Sequence, residues 1–197
     1  MTIGKEERLV TEEPVDTQAA ILANAVALLR ERTFEDISYL DLAEAAAVSE
    51  RTIYRRFPTR SHLLGALARW IEAERFPLAP FATPSEFREA VRARFRAYGT
   101  EPGLAYVAAR GAALSPPTEA PSDSITGAIL AMLDGTAPTL NRRDKQRIAA
   151  AARSFASPIF WARMRSGFDM NADETFEAFD RAIGQVLATA PEASWAA

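Results

Sequence analysis

The sequence predicts an all-α protein of about nine helices. Apolar residues recur at helical spacing through most of the 197 residues, and no segment shows the sustained alternation of a half-buried strand. The segments between these periodic stretches carry Pro, Gly or a capping residue, as helix connections do. Residues 1–15 are polar, carry Pro14 near their end and precede the first helix, so we expect them to form a flexible tail.

The composition is that of an ordinary globular protein and excludes several kinds of site. The chain has no cysteine and one histidine, His62. Thiolate metal sites and cysteine nucleophiles are therefore excluded. A zinc site built from histidines or a Ser-His-Asp triad is disfavoured, because the chain has only one histidine. No apolar run is long enough to span a membrane, and the start of the chain lacks the apolar segment of a secretory signal. We expect a cytoplasmic protein with no metal and no cofactor.

The first two helices follow from apolar spacing and from capping. Between about residues 17 and 32, apolar side chains fall on one helical face: Ile21, Leu22, Ala25, Leu28 and Leu29. The stretch "RTFEDIS" then interrupts the pattern. Ser38, with Asp41 three residues later, forms an approximate capping box for a short second helix that ends near Ala47.

A proline separates the third predicted helix from the fourth. Ser49 can cap a helix that begins at Glu50, whose carboxylate suits the helix dipole. Pro58 cannot continue this helix, and Thr59 can cap a fourth helix that runs to about residue 73. Two short helices joined by a tight turn and flanked by longer helices form a helix-turn-helix unit. The sequence therefore predicts an N-terminal helix-turn-helix domain over residues 16–74.

The remaining helices form a second, larger predicted domain over residues 75–197. The stretch "RFPLAPFATP" carries three prolines and is interpreted as a hinge between the two domains. Beyond it the pattern predicts helices at about residues 85–98, 102–114, 123–133, 142–166 and 173–189. Pro158 lies well inside the fourth of these and is predicted to kink it. The kink is either a harmless bend or a means of curving the helix around a cavity.

A local excess of positive charge stands out in a chain whose formal net charge is −3. Between residues 48 and 60 the only acid is Glu50, and the same stretch holds four arginines: Arg51, Arg55, Arg56 and Arg60. If Ile53 and Phe57 pack inward, Arg51 and Arg55 lie on an outward row of the helix. A helix of this size fits the major groove of B-DNA, where arginine can bond both acceptors of a guanine edge. The alternative explanation is a solvated charged face.

Residues 34–67, "FEDISYLDLAEAAAVSERTIYRRFPTRSHLLGAL", resemble the DNA-binding domain of the TetR family of bacterial regulators. The family pattern is carried by Phe34, Ile37, Leu42, Ala43, Ala46, Val48, Ser49, Thr52, Ile53, Tyr54, Phe57 and Leu63. The resemblance implies DNA contacts from Tyr39, Ser49, Glu50, Arg51, Thr52, Tyr54, Arg55, Arg56, Thr59 and Arg60. For Glu50, pairing with the helix dipole or with a nearby arginine is an alternative to base contact.

Two further positions depart from the family pattern. Ala47 stands where the family usually has glycine, in the turn of the helix-turn-helix. Either this position adopts a positive φ, at a cost of about 1 kcal/mol for alanine, or the turn is altered. Arg60 replaces the usual lysine, and arginine can pair with a phosphate in a bidentate way.

The resemblance also implies that the second domain binds a ligand and forms a homodimer. Core packing explains most of its aromatic residues, and the candidates for lining a ligand cavity are Phe95, Tyr98, Tyr106, Met132, Phe155 and Trp161. An apolar or aromatic small molecule is the expected effector. Two apolar surfaces are predicted to form the dimer interface, the alanine-rich turns at 149–152 and the last helix through Phe176, Phe179, Ile183, Val186 and Leu187.

The sequence thus predicts a homodimeric transcriptional regulator, a ligand-responsive repressor that binds a palindromic operator in double-stranded DNA. One alternative is a TetR-like regulator without a small-molecule inducer, which responds to a protein partner or to none. Another is a helical protein-interaction module whose arginines form surface ion pairs. An enzyme is disfavoured because the chain has no nucleophile elbow, phosphate loop or dinucleotide fingerprint.

Overall fold

The computed structural model describes residues 17–114 and 125–188, which form ten α-helices and no β-strand. The predicted all-α class is confirmed. The predicted tail at residues 1–15 lies outside the described residues. The helices are α1 (Thr17–Leu28), α2 (Tyr39–Ala45), α3 (Glu50–Arg56), α4 (Arg60–Glu74), α5 (Pro84–Thr100), α6 (Pro102–Leu114), α7 (Ile125–Thr136), α8 (Arg142–Phe155), α9 (Pro158–Phe168) and α10 (Ala172–Ala188).

Helices α1 to α4, here called the head, pack around a small apolar core. Helix α1 contacts α2 and α4, and α2 contacts α3. The fully buried side chains at the centre of the head come from all four helices: Ile21, Leu42, Ile53 and Leu63. Because α2 and α3 are only seven residues long, the burial of their apolar faces, rather than their own propensity, stabilises them.

Helices α5 to α10, here called the body, continue the same apolar core. Helix α4 packs along α6, α6 packs on α9, and α10 packs against α5 and α8. At the crossing of α4 and α6, a Cβ atom on Gly111 would lie 2.5 Å from both the Cβ of Ala68 and the carbonyl oxygen of Leu64. Only glycine allows this close approach, so the position of α4 depends directly on α6.

The predicted single helix over 142–166, kinked at Pro158, is wrong. Helix α8 ends at Phe155 and α9 begins at Pro158, with Ser157 accepting a hydrogen bond from the Phe160 amide at 3.2 Å. A serine followed by a proline is a helix start, because the serine caps the orphan amides and the proline fixes φ at the first helical position. The separation of α8 from α9 accounts for ten helices where about nine were predicted.

The predicted assignment of apolar residues to a dimer interface is also wrong at most of its positions. These side chains are buried inside the protomer: Ala149, Ala152, Phe176, Phe179 and Ile183. The Phe179 ring lies between those of Phe87 and Phe95 on α5, at centroid distances of 5.9 and 6.0 Å. The side chains of Val186 and Leu187 lie outside the described part of the structure. An amphipathic pattern does not distinguish an intramolecular neighbour from a second copy.

Across residues 17–114 and 125–188, no helix combines the length and the apolar character that are needed to cross a membrane.

Candidate nucleic-acid interface

The start of α2 is held by a network of polar contacts. The Asp41 amide donates to Ser38 Oγ at 3.0 Å, and the Ser38 amide donates back to Asp41 Oδ2 at 2.6 Å, which completes the predicted capping box. The guanidinium of Arg32 donates to both carboxylate oxygens of Asp41, at 3.0 and 3.2 Å. Hydrogen bonds from Arg32, then those from Ser38, hold the pKa of Asp41 well below its usual range.

The turn between α2 and α3 passes through Ala47 in the left-handed region, with φ of 52°. The sequence left open whether this position needs a positive φ or whether the turn is altered, and the backbone adopts the positive φ. The Val48 amide donates to the Ala43 carbonyl at 2.9 Å and so closes the end of α2. Alanine therefore carries a cost of about 1 kcal/mol at this position.

Helix α3 is capped at its start and anchored from beneath. Ser49 accepts a hydrogen bond from the Thr52 amide at 3.2 Å, and the Ser49 and Thr52 hydroxyl oxygens are 2.9 Å apart. Ile53 and Phe57 are buried in the head. Because these two residues are four apart, one face of α3 is fixed against the core and the opposite face points to solvent.

The solvent-facing side of α3 carries the arginine cluster that the sequence predicted. Arg51, Arg55 and Arg56 are exposed, and no carboxylate or other hydrogen-bonding group in the described residues pairs with them. Tyr54 lies beside them with 53% of its surface exposed, and Glu50 is exposed at the start of the helix. Three guanidinium groups on a seven-residue helix thus remain available to a partner outside the protomer.

Tyr39, which was also predicted to contact DNA, lies in the packing between α2 and α3. Its side chain is buried, its hydroxyl donates to the Phe57 carbonyl at 2.8 Å, and its ring meets that of Tyr54 edge-on at 4.7 Å. Burial raises the pKa of Tyr39. The hydroxyl therefore ties α2 to the end of α3, and the ring supports Tyr54.

Arg60 is likewise engaged inside the head. Its guanidinium donates to the carbonyl of Ile37 at 2.7 Å and to that of Phe34, and it lies over the Phe34 ring at 4.1 Å. Thr59 caps α4 by accepting from the His62 amide at 3.3 Å. Lysine, the usual family residue at this position, cannot supply this fork of donors. The replacement of lysine by arginine, which the sequence analysis assigned to a phosphate, serves backbone carbonyls of the head instead.

The ligand candidates of the body are brought together in part. Phe95, Tyr98 and Trp161 are fully buried and form one aromatic cluster, with centroid distances of 6.1 Å for Phe95–Tyr98 and 5.4 Å for Tyr98–Trp161. Tyr106 packs on Trp161 at 5.4 Å but is 38% exposed. It lines a cleft of about 380 Å³ between α6 and residues 29–35 of the head.

The other two ligand candidates are Phe155 and Met132. Phe155 reaches the aromatic cluster through Phe160, whose ring is 5.5 Å from that of Phe155 and 6.2 Å from that of Phe95. Met132 is buried on α7.

A buried charge beside this aromatic cluster was not predicted. Arg94 is 4% exposed, donates to Glu72 Oε1 on α4 at 2.9 Å, and lies 5.7 Å from the Tyr98 ring centroid. Burial raises the pKa of Tyr98. The available signal was helical spacing, because Arg94 follows Val91 by three residues and precedes Tyr98 by four, which places it on the buried face of α5.

Comparisons with known proteins agree with this architecture. Residues 21–67 match the family model of bacterial regulatory proteins of the tetR family. No match was found among curated protein sequences. The structure is similar to that of a TetR transcriptional regulator from Rhodococcus sp. RHA1, with a TM-score of 0.65 and 16% identity over 87% of this chain and 97% of that one. It is also similar to a second TetR-like transcriptional regulator from Rhodococcus sp. RHA1, with a TM-score of 0.56 and 19% identity over 88% and 96% of the two chains.

The family match covers the capped helix-turn-helix and its exposed arginines, and the similarity of fold extends through the body. Residues 21–67 thus carry the N-terminal domain of the tetR family of bacterial regulatory proteins, in a chain whose overall fold is similar to that of TetR-like transcriptional regulators.

Proposed function

We propose that the protein is a ligand-responsive repressor that binds a palindromic operator as a homodimer. Residues 16–74 form the DNA-binding domain, and residues 75–197 form the domain that dimerises and binds an effector. Because bacterial operators lie in the cytoplasm, the proposed function places the protein there.

The observation that carries the DNA-binding proposal is the exposed arginine face of α3. A short helix that enters the major groove meets phosphates on both walls and base edges on the floor. Arg51 and Arg55 lie on the row opposite the buried Ile53 and are the candidates for base contact. Arg56 and the hydroxyls of Tyr54 and Thr59 are the candidates for phosphate contact, and Ser49 and Thr52 lie at the start of α3.

A dimer is proposed because two symmetric α3 helices match two half-sites of a palindrome. The outer face of α9 and α10 is the proposed contact surface. It carries Phe168, which is 68% exposed, next to a groove lined by Met170, Ala178 and Ala182. Glu177 and Arg181 border the same groove. On a two-fold axis these opposite charges can pair reciprocally between protomers, which suits a second copy of the chain.

Effector control is proposed to act through the contacts between the body and the head. Gly111 holds α6 against α4, Arg110 on α6 pairs with Glu35 at 2.6 Å, and Glu101 pairs with both Arg30 and Arg75. A change in the packing of α6 therefore shifts α4 and the loop before α2 together. A coupling of about 1–3 kcal/mol would change operator affinity by about 5- to 150-fold.

The test is selection of bound sequences from a random pool of DNA duplexes, with the wild-type protein and with Arg51→Ala and Arg55→Ala. We expect the wild type to select a palindrome, and at least one variant to lose a guanine preference at one position in each half-site. Arg56→Ala, which removes the same charge from a proposed phosphate contact, should weaken binding to all sequences alike. Selection of no palindrome, or identical preferences in all four proteins, would rule out the groove-insertion model.

A further inference from the structure

We propose that the buried polar cluster of Glu72, Arg94, Tyr98 and Trp161 binds the carboxylate group of a small aromatic or aliphatic acid. This inference rests on the proposed function and names the chemical class of its effector. It replaces the expected purely apolar or aromatic ligand with an anionic one.

The first argument is the number of buried donors that lack a partner. Arg94 uses Nη2 on Glu72, whereas its Nε and Nη1 atoms have no hydrogen-bond partner within the described residues. The same is true of the Tyr98 hydroxyl and of Trp161 Nε1, both on fully buried side chains. Buried donors are almost always paired in folded proteins, so a group of them in one place calls for a molecule that supplies acceptors.

The second argument is the polarity of these atoms. The nitrogens of arginine and tryptophan can only donate, and the tyrosine hydroxyl can also donate. Tyr98 connects them, because Arg94 lies over its ring and its centroid is 5.4 Å from that of Trp161. A carboxylate only accepts, offers about four lone-pair sites and pairs strongly with a guanidinium, so it complements this set better than an amide or an alcohol does.

The third argument is the surroundings of the cluster. Phe76 meets the Tyr98 ring edge-on at 4.8 Å, and Phe95 stacks beside it at 6.1 Å. The body of the acid would therefore lie among aromatic rings, with its charged group on Arg94. Glu72 marks the side from which the cluster reaches solvent, because its side chain is 26% exposed whereas that of Arg94 is 2% exposed.

Position gives this site a route to the head. Glu72 belongs to α4, the helix that starts at Arg60 directly after α3. A ligand carboxylate would share or replace Glu72 as the partner of Arg94, and so would change the contact between α4 and α5. An acid bound here would thereby act on α4, the helix through which the head packs against the body.

The experiment measures binding to the full-length protein by calorimetry and by thermal unfolding. The probes are benzoate, 3-phenylpropanoate and octanoate, each compared with its neutral primary amide. We expect at least one acid to bind and to raise the unfolding temperature, and its amide to bind at least about tenfold more weakly, because it lacks the charged acceptor.

Two variants locate the site. Tyr98→Phe removes only the hydroxyl, keeps the ring, and should weaken binding of the acid about tenfold without lowering the unfolding temperature of the free protein. Arg94→Met should abolish binding. Arg96→Met is the matched control, because Arg96 is on the same helix in an exposed ion pair with Asp173 at 2.8 Å. If Arg94→Met does not fold, Tyr98→Phe alone decides the outcome.

The inference is overturned if none of the three acids binds, if acid and amide bind equally, or if Tyr98→Phe binds the acid as tightly as the wild type does. A parallel measurement of operator affinity keeps the two proposals distinct. If an acid binds at Arg94 but operator affinity does not change, the site stands and the effector role proposed above fails. If operator binding is released by an amide but not by its acid, the effector role stands and the anionic site fails.

Discussion

Helices α3 and α5 are both rich in arginine, but the structure places their charges in opposite situations. On α5, Arg88, Arg92, Arg94 and Arg96 each lie within ion-pair distance of a carboxylate: Asp180, Glu89, Glu72 and Asp173 respectively. On α3, no acid in the described part of the chain pairs with Arg51, Arg55 or Arg56. The sequence shows a cluster of like charges in both segments, and the tertiary structure neutralises only one of them.

This difference shows why a run of arginines by itself does not indicate nucleic-acid binding. The α5 arginines stabilise the protomer, because their carboxylate partners lie on α4, on α5 itself and on α10. The α3 arginines make no such ion pair with the residues that the structure describes. An unneutralised cluster on a surface helix retains its field and can release counterions from DNA, whereas a paired cluster cannot.

The largest expected effect comes from removing both base-reading candidates on α3. Arg51→Ala with Arg55→Ala should weaken operator binding by about 2–6 kcal/mol and reduce the slope of log affinity against log salt by about 2. The control is Arg92→Ala with Arg96→Ala on α5, which changes net charge by the same amount. Fluorescence anisotropy across a salt series measures both. Equal losses in the two double variants would mean that net charge, and not the position of α3, drives binding.

The next effect concerns stability rather than binding. Arg94→Ala should lower the free energy of unfolding by about 3 kcal/mol, because it leaves the Glu72 carboxylate without its buried guanidinium partner. Arg96→Ala removes an exposed ion pair on the same helix and should cost less than about 1 kcal/mol. Urea unfolding followed by circular dichroism measures the difference. Similar losses in both variants would show that burial does not distinguish these ion pairs.

The comparison of paired and unpaired arginines can also be made within the head, between Arg60 and Arg51. We expect Arg60→Ala to lower the free energy of unfolding by about 2 kcal/mol, since it removes two hydrogen bonds to backbone carbonyls and the contact with Phe34. Arg51→Ala, on the exposed face nearby, should change it by less than about 0.5 kcal/mol. Chemical unfolding of both variants measures this. If Arg60→Ala unfolds like the wild type and only weakens DNA binding, Arg60 is a phosphate contact as the family resemblance implied.

The smallest effect sharpens the distinction between fold and binding. Ala47→Gly should raise the free energy of unfolding by about 0.5–1 kcal/mol, because glycine relieves the positive φ but gains entropy in the unfolded chain. Operator affinity should not change, since glycine can adopt the same positive φ and the variant therefore keeps the turn geometry of the wild type. Ala45→Gly, at the last residue of α2, is the matched control and should destabilise the protein, by up to about 1 kcal/mol. Destabilisation by both substitutions would contradict the strain assigned to Ala47.

Much of the head could be predicted because its signals are local. The Ser38 capping box, the Ser49 and Thr59 caps and the stop at Pro58 each depend on residues within one helical turn. The burial of Ile53 and Phe57 then follows from helical spacing and sets the outward row. The prediction at Pro158 was wrong although a local signal was present, since Ser157 before the proline already marked a helix start.

The sequence by itself determined the all-α class, the helix-turn-helix and the face of α3 that carries its arginines, because capping and periodicity act over a few residues. Only the tertiary structure decided which charges are neutralised, which tyrosines are buried and whether an apolar face meets its own protomer. Arg60 and Arg94 look like any other arginine in the chain. Their carbonyl and carboxylate partners lie more than twenty residues away, and the fold alone brings those groups within hydrogen-bond distance.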